Sequence, residues 1–537
     1  MECRSYPFEK LPFSELFCNY IRHSDSLATF YEAHPFDEER VAERAENFAF
    51  PGHRDRSADA LTAFNRLFDA PEETFAGIEK LREPDGLAVV TGQQLTLYGG
   101  PLFTVYKTIT AILYARRWEK LLKRPVVPVF WLADEDHDYE EAGEVGLLQD
   151  DVYRKLHLKN GSGSLPVGRE TLGRAFAGFE DELFDIMPVS DFSDKLIGEL
   201  QQFYREGVTF REAFAGWMLH LFGDYGIVLA GSDDPAIKKL ISEPMVRAAD
   251  RHGELFERLD RQSSSLEGAG YTRQAMVQES NLFYLDPGLG RQKLERDGSR
   301  WVSGNGRSWN GKELLDDIRN NPQNFSPNVF LRPIMQDRLL PTLAYVSGPG
   351  ELAYFGQMKS AYEWMGQQMP LLLPRFSITL KEPAIDRIMN ELPLEMHEFA
   401  GRIEDVEALY VERTDSHDVE GLFSAWQQSV SEITEEQKKQ IRLIDPTLEA
   451  AADKAGTVFN NEIEGLKKKT YRSIKKQESI QLNRIRRIKE NLFPGGSLQE
   501  RQIALIFYMN KYGCDLWDRL IETLEDEVPD SHKIVQL

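Results

Sequence analysis

The chain has 537 residues, 41% hydrophobic and 11% aromatic, which suits about three or four domains or one core with large insertions. Its net charge of −23 argues against general binding to nucleic acid or to an anionic membrane, so neither is expected as a partner. Cys3, Cys18 and Cys514 are too few and too scattered for a disulfide framework or a thiolate zinc site. No stretch approaches a membrane span and the first residues lack a signal-peptide apolar region, so a reduced, cytoplasmic setting is expected.

Residues 1 to about 85 read as helical, with Phe, Leu and Ala at helical spacing among charges. Leu87-Ala88-Val89-Val90-Thr91 then reads as a buried strand that ends at Gly92-Gln93-Gln94. Gly99-Gly100-Pro101 opens a long helix through Lys107, Ile112 and Trp118, which Pro125 stops. A second apolar strand, Val126 to Ala133, runs into Asp134-Glu135-Asp136-His137-Asp138. This is a strand–loop–helix–strand unit of the parallel, right-handed kind, and it puts both polar loops on one sheet edge. Ligands of open α/β sheets bind at that edge. The glycines there would admit a ligand to the backbone, and the helix start would favour an anion. On an extended chain Asp134, Asp136 and Asp138 face one way, Glu135 and His137 the other. The plainer reading is a solvated acidic loop containing a helix cap. The loops match neither a P-loop nor a dinucleotide-binding fingerprint.

Further along, Val152 to Leu158 alternates like a half-exposed strand, with a turn at Gly161 to Gly163. Gly226 to Ala230 is another buried strand, ending in Gly231-Ser232-Asp233-Asp234-Pro235, where the aspartates either cap a helix or face a ligand. Residues 270–328 form a small β-rich insertion with Gly-rich turns. The core resumes over 329–384 with strands at Val329 to Pro333, Thr342 to Val346 and Leu371 to Phe376. Between the last two lies Ser347-Gly348-Pro349-Gly350-Glu351, with Glu351 and Tyr354 one helical turn apart. Residues 385–493 are charged and helical with broken heptads, which predicts an antiparallel coiled-coil arm suited to dimerisation. Lys467 to Lys469 and Arg484 to Lys489 are either its solvated face or a phosphate pocket. A helical tail, 494–537, closes the chain and packs on the core.

Four segments, Thr91-Gly-Gln-Gln to Gly99-Gly-Pro-Leu, Phe130-Trp-Leu-Ala-Asp-Glu-Asp-His-Asp, Arg332-Pro-Ile-Met-Gln336 and Ser347-Gly-Pro-Gly-Glu351, occur here in one order. As a set they resemble the bacillithiol biosynthesis cysteine-adding enzyme family over essentially the whole length. The resemblance implies a Rossmann-like parallel core related to class I aminoacyl-tRNA synthetases, with residues 86–269 carrying a connective insertion near 150–222. It also implies a dimerising arm and the joining of cysteine to the amine of glucosaminyl-malate. The synthetase signatures are missing: Thr104-Val105-Tyr106-Lys107 stands at the matching helix start, and Gln357-Met358-Lys359-Ser360 only faintly echoes the second motif. ATP or ADP is implied as a cofactor, in the core or near the arm, with Mg²⁺ accompanying it.

Such a reaction needs cationic holds for carboxylates and a base for the amine. The candidate catalytic residues are Asp134, Asp136, His137, Asp138 and Lys107. His137, among carboxylates, should favour its protonated form. Candidate substrate-binding residues are Gly92, Gln93, Gln94, Gly100, Pro101, Tyr106, Trp131, Glu135, Ser232, Asp233, Arg332, Gln336, Gly348, Gly350, Glu351 and Tyr354. Arg332 is the better bidentate anion partner, unless it serves a structural ion pair, and Tyr354 is a site wall unless it is merely packed. Two other readings fit the sequence: a nucleotide-binding coiled-coil interaction protein without catalysis, and a metal-dependent nucleotidyl or sugar transferase.

Overall fold

The computed structural model describes all residues except 160–164, 415–417 and 478, so the turn expected at Gly161 to Gly163 lies outside the described residues. The chain forms two compact units, one of residues 1–380 with 499–537 and one of residues 381–498.

The first unit is built on five parallel strands: β1 (Leu87–Gln93), β2 (Val126–Leu132), β3 (Val228–Gly231), β4 (Thr342–Ser347) and β5 (Leu371–Pro374). Their spatial order is β5-β4-β1-β2-β3. The chain runs from β1 outward to β3 and then returns to the other side of β1. The reversal between β1 and β4 is where a doubly wound sheet opens a crevice at its carboxyl edge. The strands read as unbroken Val, Leu and Ala runs because both faces are covered. Helix α1 (Leu102–Leu122) follows β1, with Pro101 just before its first turn and Lys123 left-handed at its end. Helices α2 (Pro235–Ile241), α3 (Leu331–Leu339) and α4 (Pro349–Phe355) precede or follow the other edge loops.

Three elements differ from the sequence expectation. Glu2–Tyr6 is a strand rather than helix, paired antiparallel with His532–Gln536, which is also a strand and borders Ile378–Lys381. The partners lie over 500 residues apart in sequence, so no local periodicity could reveal the pairing. The third is α3, expected as a strand around Val329 to Pro333. The Asn328 side chain accepts the Phe330 and Leu331 N–H groups at 3.1 Å, and Pro333 falls in the first turn, where a missing N–H costs nothing.

The insertion carries a five-stranded antiparallel sheet of Leu282–Asp286, Gly290–Asp297, Arg300–Ser303, Ser308–Trp309 and Phe325–Pro327. Val152–His157 pairs antiparallel with Glu144–Gln149.

In the second unit, α5 (Val419–Ile444) and α6 (Glu449–Gln477) form an antiparallel hairpin. Its seam joins Val419, Phe423, Val430, Ile463, Tyr471 and Ile474. Ion pairs Lys467–Glu420 (2.6 Å) and Lys438–Asp453 (2.8 Å) hold the register. Leu422, Trp426 and Ile433 of α5 and Phe459 and Leu466 of α6 lie outside that seam and are exposed.

Candidate active site

At the β1/β4 crevice lies a cavity of about 380 Å³. The ends of β1 and β4 supply Gly92, Gln93, Gln94, Gly348, Gly350 and Glu351, while α1, α3 and α4 supply Lys107, Arg332 and Tyr354. Trp131 and Asp136 complete the wall from the β2 side.

Lys107 sits one and a half turns into α1, and its side chain is 3% exposed. Its Nζ donates to the Gly92 carbonyl (2.8 Å) and to Gln93 Oε1 (3.2 Å), and pairs with Glu351 Oε2 at 2.5 Å. Three acceptors for three donors is the pattern of an ammonium ion. Burial pulls the Lys107 pKa down, and the Glu351 carboxylate resists that pull. Burial also works against the Glu351 charge, but Lys107 and the Gly348 N–H (2.8 Å) hold its carboxyl below the usual carboxylate range. The Tyr345 hydroxyl donates to its other oxygen at 2.8 Å.

Arg332 and Gln336 face together, one turn apart on α3, with Nη1 donating to Gln336 Oε1 at 3.2 Å. Arg332 Nη2 lies 3.3 Å from the Tyr354 hydroxyl, and the guanidinium sits 5.8 Å from the Tyr345 ring centre. No carboxylate pairs with Arg332 among the described residues. Asp136 accepts from Gln94 Nε2 (2.6 Å) and from the His137 N–H (2.7 Å).

The acidic loop is not extended, so its expected two-sided alternation does not occur. It turns at Asp134-Glu135, and its side chains separate. Asp134 and Glu135 enter a second, buried network between the ends of β2 and β3. Asp134, fully buried, accepts the Asp233 N–H at 3.1 Å and packs against Gly231 and Gly168, where a side chain would collide with it. Asp233 takes a bidentate pair from Arg169 (2.8 and 2.5 Å). Arg211 lies 3.7 Å from Asp233 and 3.9 Å from Asp134. Glu135 accepts from Ser232 Oγ at 2.5 Å and pairs with buried Lys238. Burial, with the neighbouring carboxylates adding to it, raises the Asp134 pKa well above its ordinary value. Burial also raises Asp233, against the pull of Arg169. These four residues, Asp134, Glu135, Ser232 and Asp233, therefore sit apart from the cavity wall. Asp138 caps the turn Tyr139–Ala142 by accepting the Glu141 N–H, and Asp234 caps α2.

His137 departs from its expected protonation. Burial and then the Arg291 guanidinium lower its pKa, outweighing the Glu135 carbonyl 3.0 Å from Nδ1, so the neutral ring is favoured. Unlike Gly92, Gly348 and Gly350, which line the cavity, Gly100 serves the protein's own packing. Gly100 is left-handed (φ 75°), and a Cβ there would lie 2.1 Å from Thr96 Oγ1. The start of α1 is likewise taken, since the Leu102 N–H donates to the Ile503 carbonyl (2.9 Å) and Pro101 bridges to Ala504. Tyr106 is fully buried and, like Gly100 and Pro101, lies outside the cavity lining.

Phe103, Glu141, Tyr345, Arg375 and Arg501 also line the cavity. Arg375 directly follows β5, so the strand-end rule could have found it. Arg501 sits in the tail, over 120 residues further on, with no signal of its own.

Residues 1–376 match the family described as the bacillithiol biosynthesis BshC N-terminal Rossmann-like domain, and 378–537 match its C-terminal coiled-coil domain. The chain is 35% identical to a Salinibacter ruber protein over 97% of this chain and 96% of the relative. It is 34% identical to one from Chlorobaculum tepidum over 98% of each. It is 32% identical to one from Chloroherpeton thalassium over the full length of both. All three bear the name "Putative cysteine ligase BshC". A parallel doubly wound core, a coiled-coil hairpin and end-to-end matches to both domains lead to one conclusion: this chain belongs to the bacillithiol biosynthesis BshC family.

Proposed function

We propose that this protein is a carbon–nitrogen ligase that joins L-cysteine to the amine of glucosaminyl-malate, completing bacillithiol. The observation that carries the reading is the end-to-end likeness to relatives named cysteine ligases. The cavity chemistry supports it. Arg332 offers a guanidinium with no carboxylate partner among the described residues, suited to a malate carboxylate. Asp136 and Glu141 offer carboxylates for the substrate ammonium groups, and Asp136 is our choice of base for the attacking amine. The Lys107–Glu351 pair holds the ends of β1 and β4 in fixed relation. Gln93 and Gln94 offer amides to sugar hydroxyls.

Amide formation from a free carboxylate requires activation. The guanidinium-bearing wall fits phosphate oxygens as well as carboxylates, and ATP with Mg²⁺, when bound, would supply that activation. The reading is tested by incubating the purified protein with both substrates, with and without Mg-ATP, and following the amide by mass spectrometry.

We also infer a homodimer formed through the arm. Leu422, Trp426, Ile433, Phe459 and Leu466 stand outside the hairpin's own seam with 44–63% of their surface exposed, and on each helix they recur at helical spacing suited to a second copy. Light scattering should give twice the chain mass, and Trp426→Glu should shift it toward the monomer. We place the reaction in the cytoplasm; no described helix is long and apolar enough to cross a membrane, and all three cysteines are free thiols.

A further inference from the structure

The segment Gln499–Gln502, where the chain re-enters the core unit after residues 381–498, is fastened at almost every residue. The Gln499 side chain accepts the Leu380 N–H (2.8 Å) and donates to the Leu380 carbonyl (3.0 Å) and the Tyr508 hydroxyl (2.7 Å). Gln502 Oε1 accepts from the Tyr153 hydroxyl at 2.6 Å. Beyond it, Ala504 N–H donates to the Gly146 carbonyl (2.8 Å) and Leu505 N–H to the Gly100 carbonyl (3.2 Å). One side chain in this run is left exposed, Arg501, and it lines the cavity.

Glu500 points inward. It is 1% exposed and grips the Arg375 guanidinium with both oxygens, at 2.6 and 3.0 Å. The same carboxylate accepts from Ser377 Oγ (3.0 Å) and the Ile378 N–H (2.9 Å). Burial opposes its charge, yet Arg375 keeps its carboxyl below the ordinary range. Arg375 is 4% exposed, with Nη1 also donating to the Phe376 carbonyl at 2.8 Å. Its Nε remains without a hydrogen-bond partner among the described residues. That atom lies 3.7 Å from where a Cβ on Gly348 would stand, and Arg375 and Gly348 both line the cavity.

With Lys107 matched by Glu351 and Arg375 by Glu500, the cavity's surplus cations are Arg332 and Arg501. We propose that Arg501, with the Nε–H of Arg375, forms a second oxyanion subsite beside Arg332, and that Glu500 is the positioning residue that aims Arg375 into it. A ligand with two carboxylates a few bonds apart engages both subsites. The assignment rests on the proposed reading for its substrate, but the anion-binding claim can be read without any turnover.

The probe is L-malate, titrated calorimetrically into the full-length protein, with ATP and L-cysteine as separate titrants. Wild type should bind malate. Arg501→Gln, exposed and therefore harmless to folding, should weaken malate about tenfold, the scale of one lost charge-assisted contact. Glu500→Gln should weaken it comparably while leaving cysteine binding unchanged. In turnover, both variants should raise the KM for glucosaminyl-malate with little change in kcat, a split that a merely structural defect would not give. Unchanged malate affinity in Arg501→Gln overturns the proposal, as does a wild type that ignores malate. Loss of ATP binding with malate binding intact would reassign the subsite to phosphate. Should Glu500→Gln fail to fold, Arg501→Gln and Arg375→Lys decide the matter. Malate binding without amide formation would instead defeat the proposed reaction and leave the subsite standing.

Discussion

Lys107→Met keeps the buried stem and deletes the charge that joins β1 to α4. The ammonium leaves behind the Gly92 carbonyl, Gln93 Oε1 and a Glu351 carboxylate with no other cation in contact among the described residues. Breaking a buried pair typically costs about 3–5 kcal/mol, because the surviving charge is uncompensated. Here Glu351 retains the Tyr345 hydroxyl and the Gly348 N–H, and its side chain is 22% exposed. The lower end therefore applies, about 3 kcal/mol. Adding Glu351→Gln removes the orphaned charge and should recover roughly 1 kcal/mol or more. The sign with pH follows from the depressed Glu351 pKa. Its contribution in wild type is present above the unfolded carboxylate value, about 4.3, and is lost as pH falls through the lower folded value. In Lys107→Met the carboxyl protonates readily, so the deficit against wild type shrinks in acid. Urea unfolding followed by tryptophan emission measures this, because only Trp426 of the 8 tryptophans lies outside the core unit. A cost under about 0.5 kcal/mol, a surface-pair value, would refute the reasoning, as would equal deficits at pH 4.5 and 7.5.

Three other outcomes follow from the same geometry. Asp337, buried beneath the Tyr362 hydroxyl (2.8 Å), has its pKa pushed up to about 6 by burial. Its stabilising share is present below about pH 4 and lost as pH rises through about 6, roughly 2–3 kcal/mol in all, and Asp337→Asn should flatten that slope in urea titrations across pH. Gly92→Ala would put a Cβ 2.8 Å from the Trp131 carbonyl, between paired strands that cannot part, and should cost about 2–3 kcal/mol in the same assay. His137→Asn should leave the shape of the kcat/KM pH profile unchanged, since burial and the Arg291 guanidinium lower the ring's pKa and favour its neutral form.

The parallel core was legible because its strands are unbroken apolar runs ending in polar, glycine-bearing loops, a pattern that burial on both faces forces. The same rule put Gln93, Gln94, Lys107, Glu351 and Tyr354 at one edge, where the cavity now gathers them. What the pattern could not tell was which edge residues share a crevice. Asp134 and Asp136 stand two apart in the chain, yet one turn sends the first into the β3 network and leaves the second facing Gln94. Lys238 gave a weak signal, a charge flanked by buried Ile237 and Ile241 on α2. Arg501 and the pairing of the chain's two ends gave none, since both depend on contacts between segments far apart in sequence. The start of α1 misled for a related reason: a helix N-terminus invites an anion only when its N–H groups are free, and here the tail occupies it.

The most direct test of the account is amide formation from L-cysteine and glucosaminyl-malate, in the presence of Mg-ATP, by wild type and by Asp136→Asn. A base contribution of about 10²- to 10⁴-fold should reduce the product mass signal of the folded variant to near background, while wild type yields the cysteinyl amide. Full turnover by Asp136→Asn would move the chemistry away from the β1/β4 crevice. Absence of product from wild type, with neither substrate bound, would contradict the ligase reading itself.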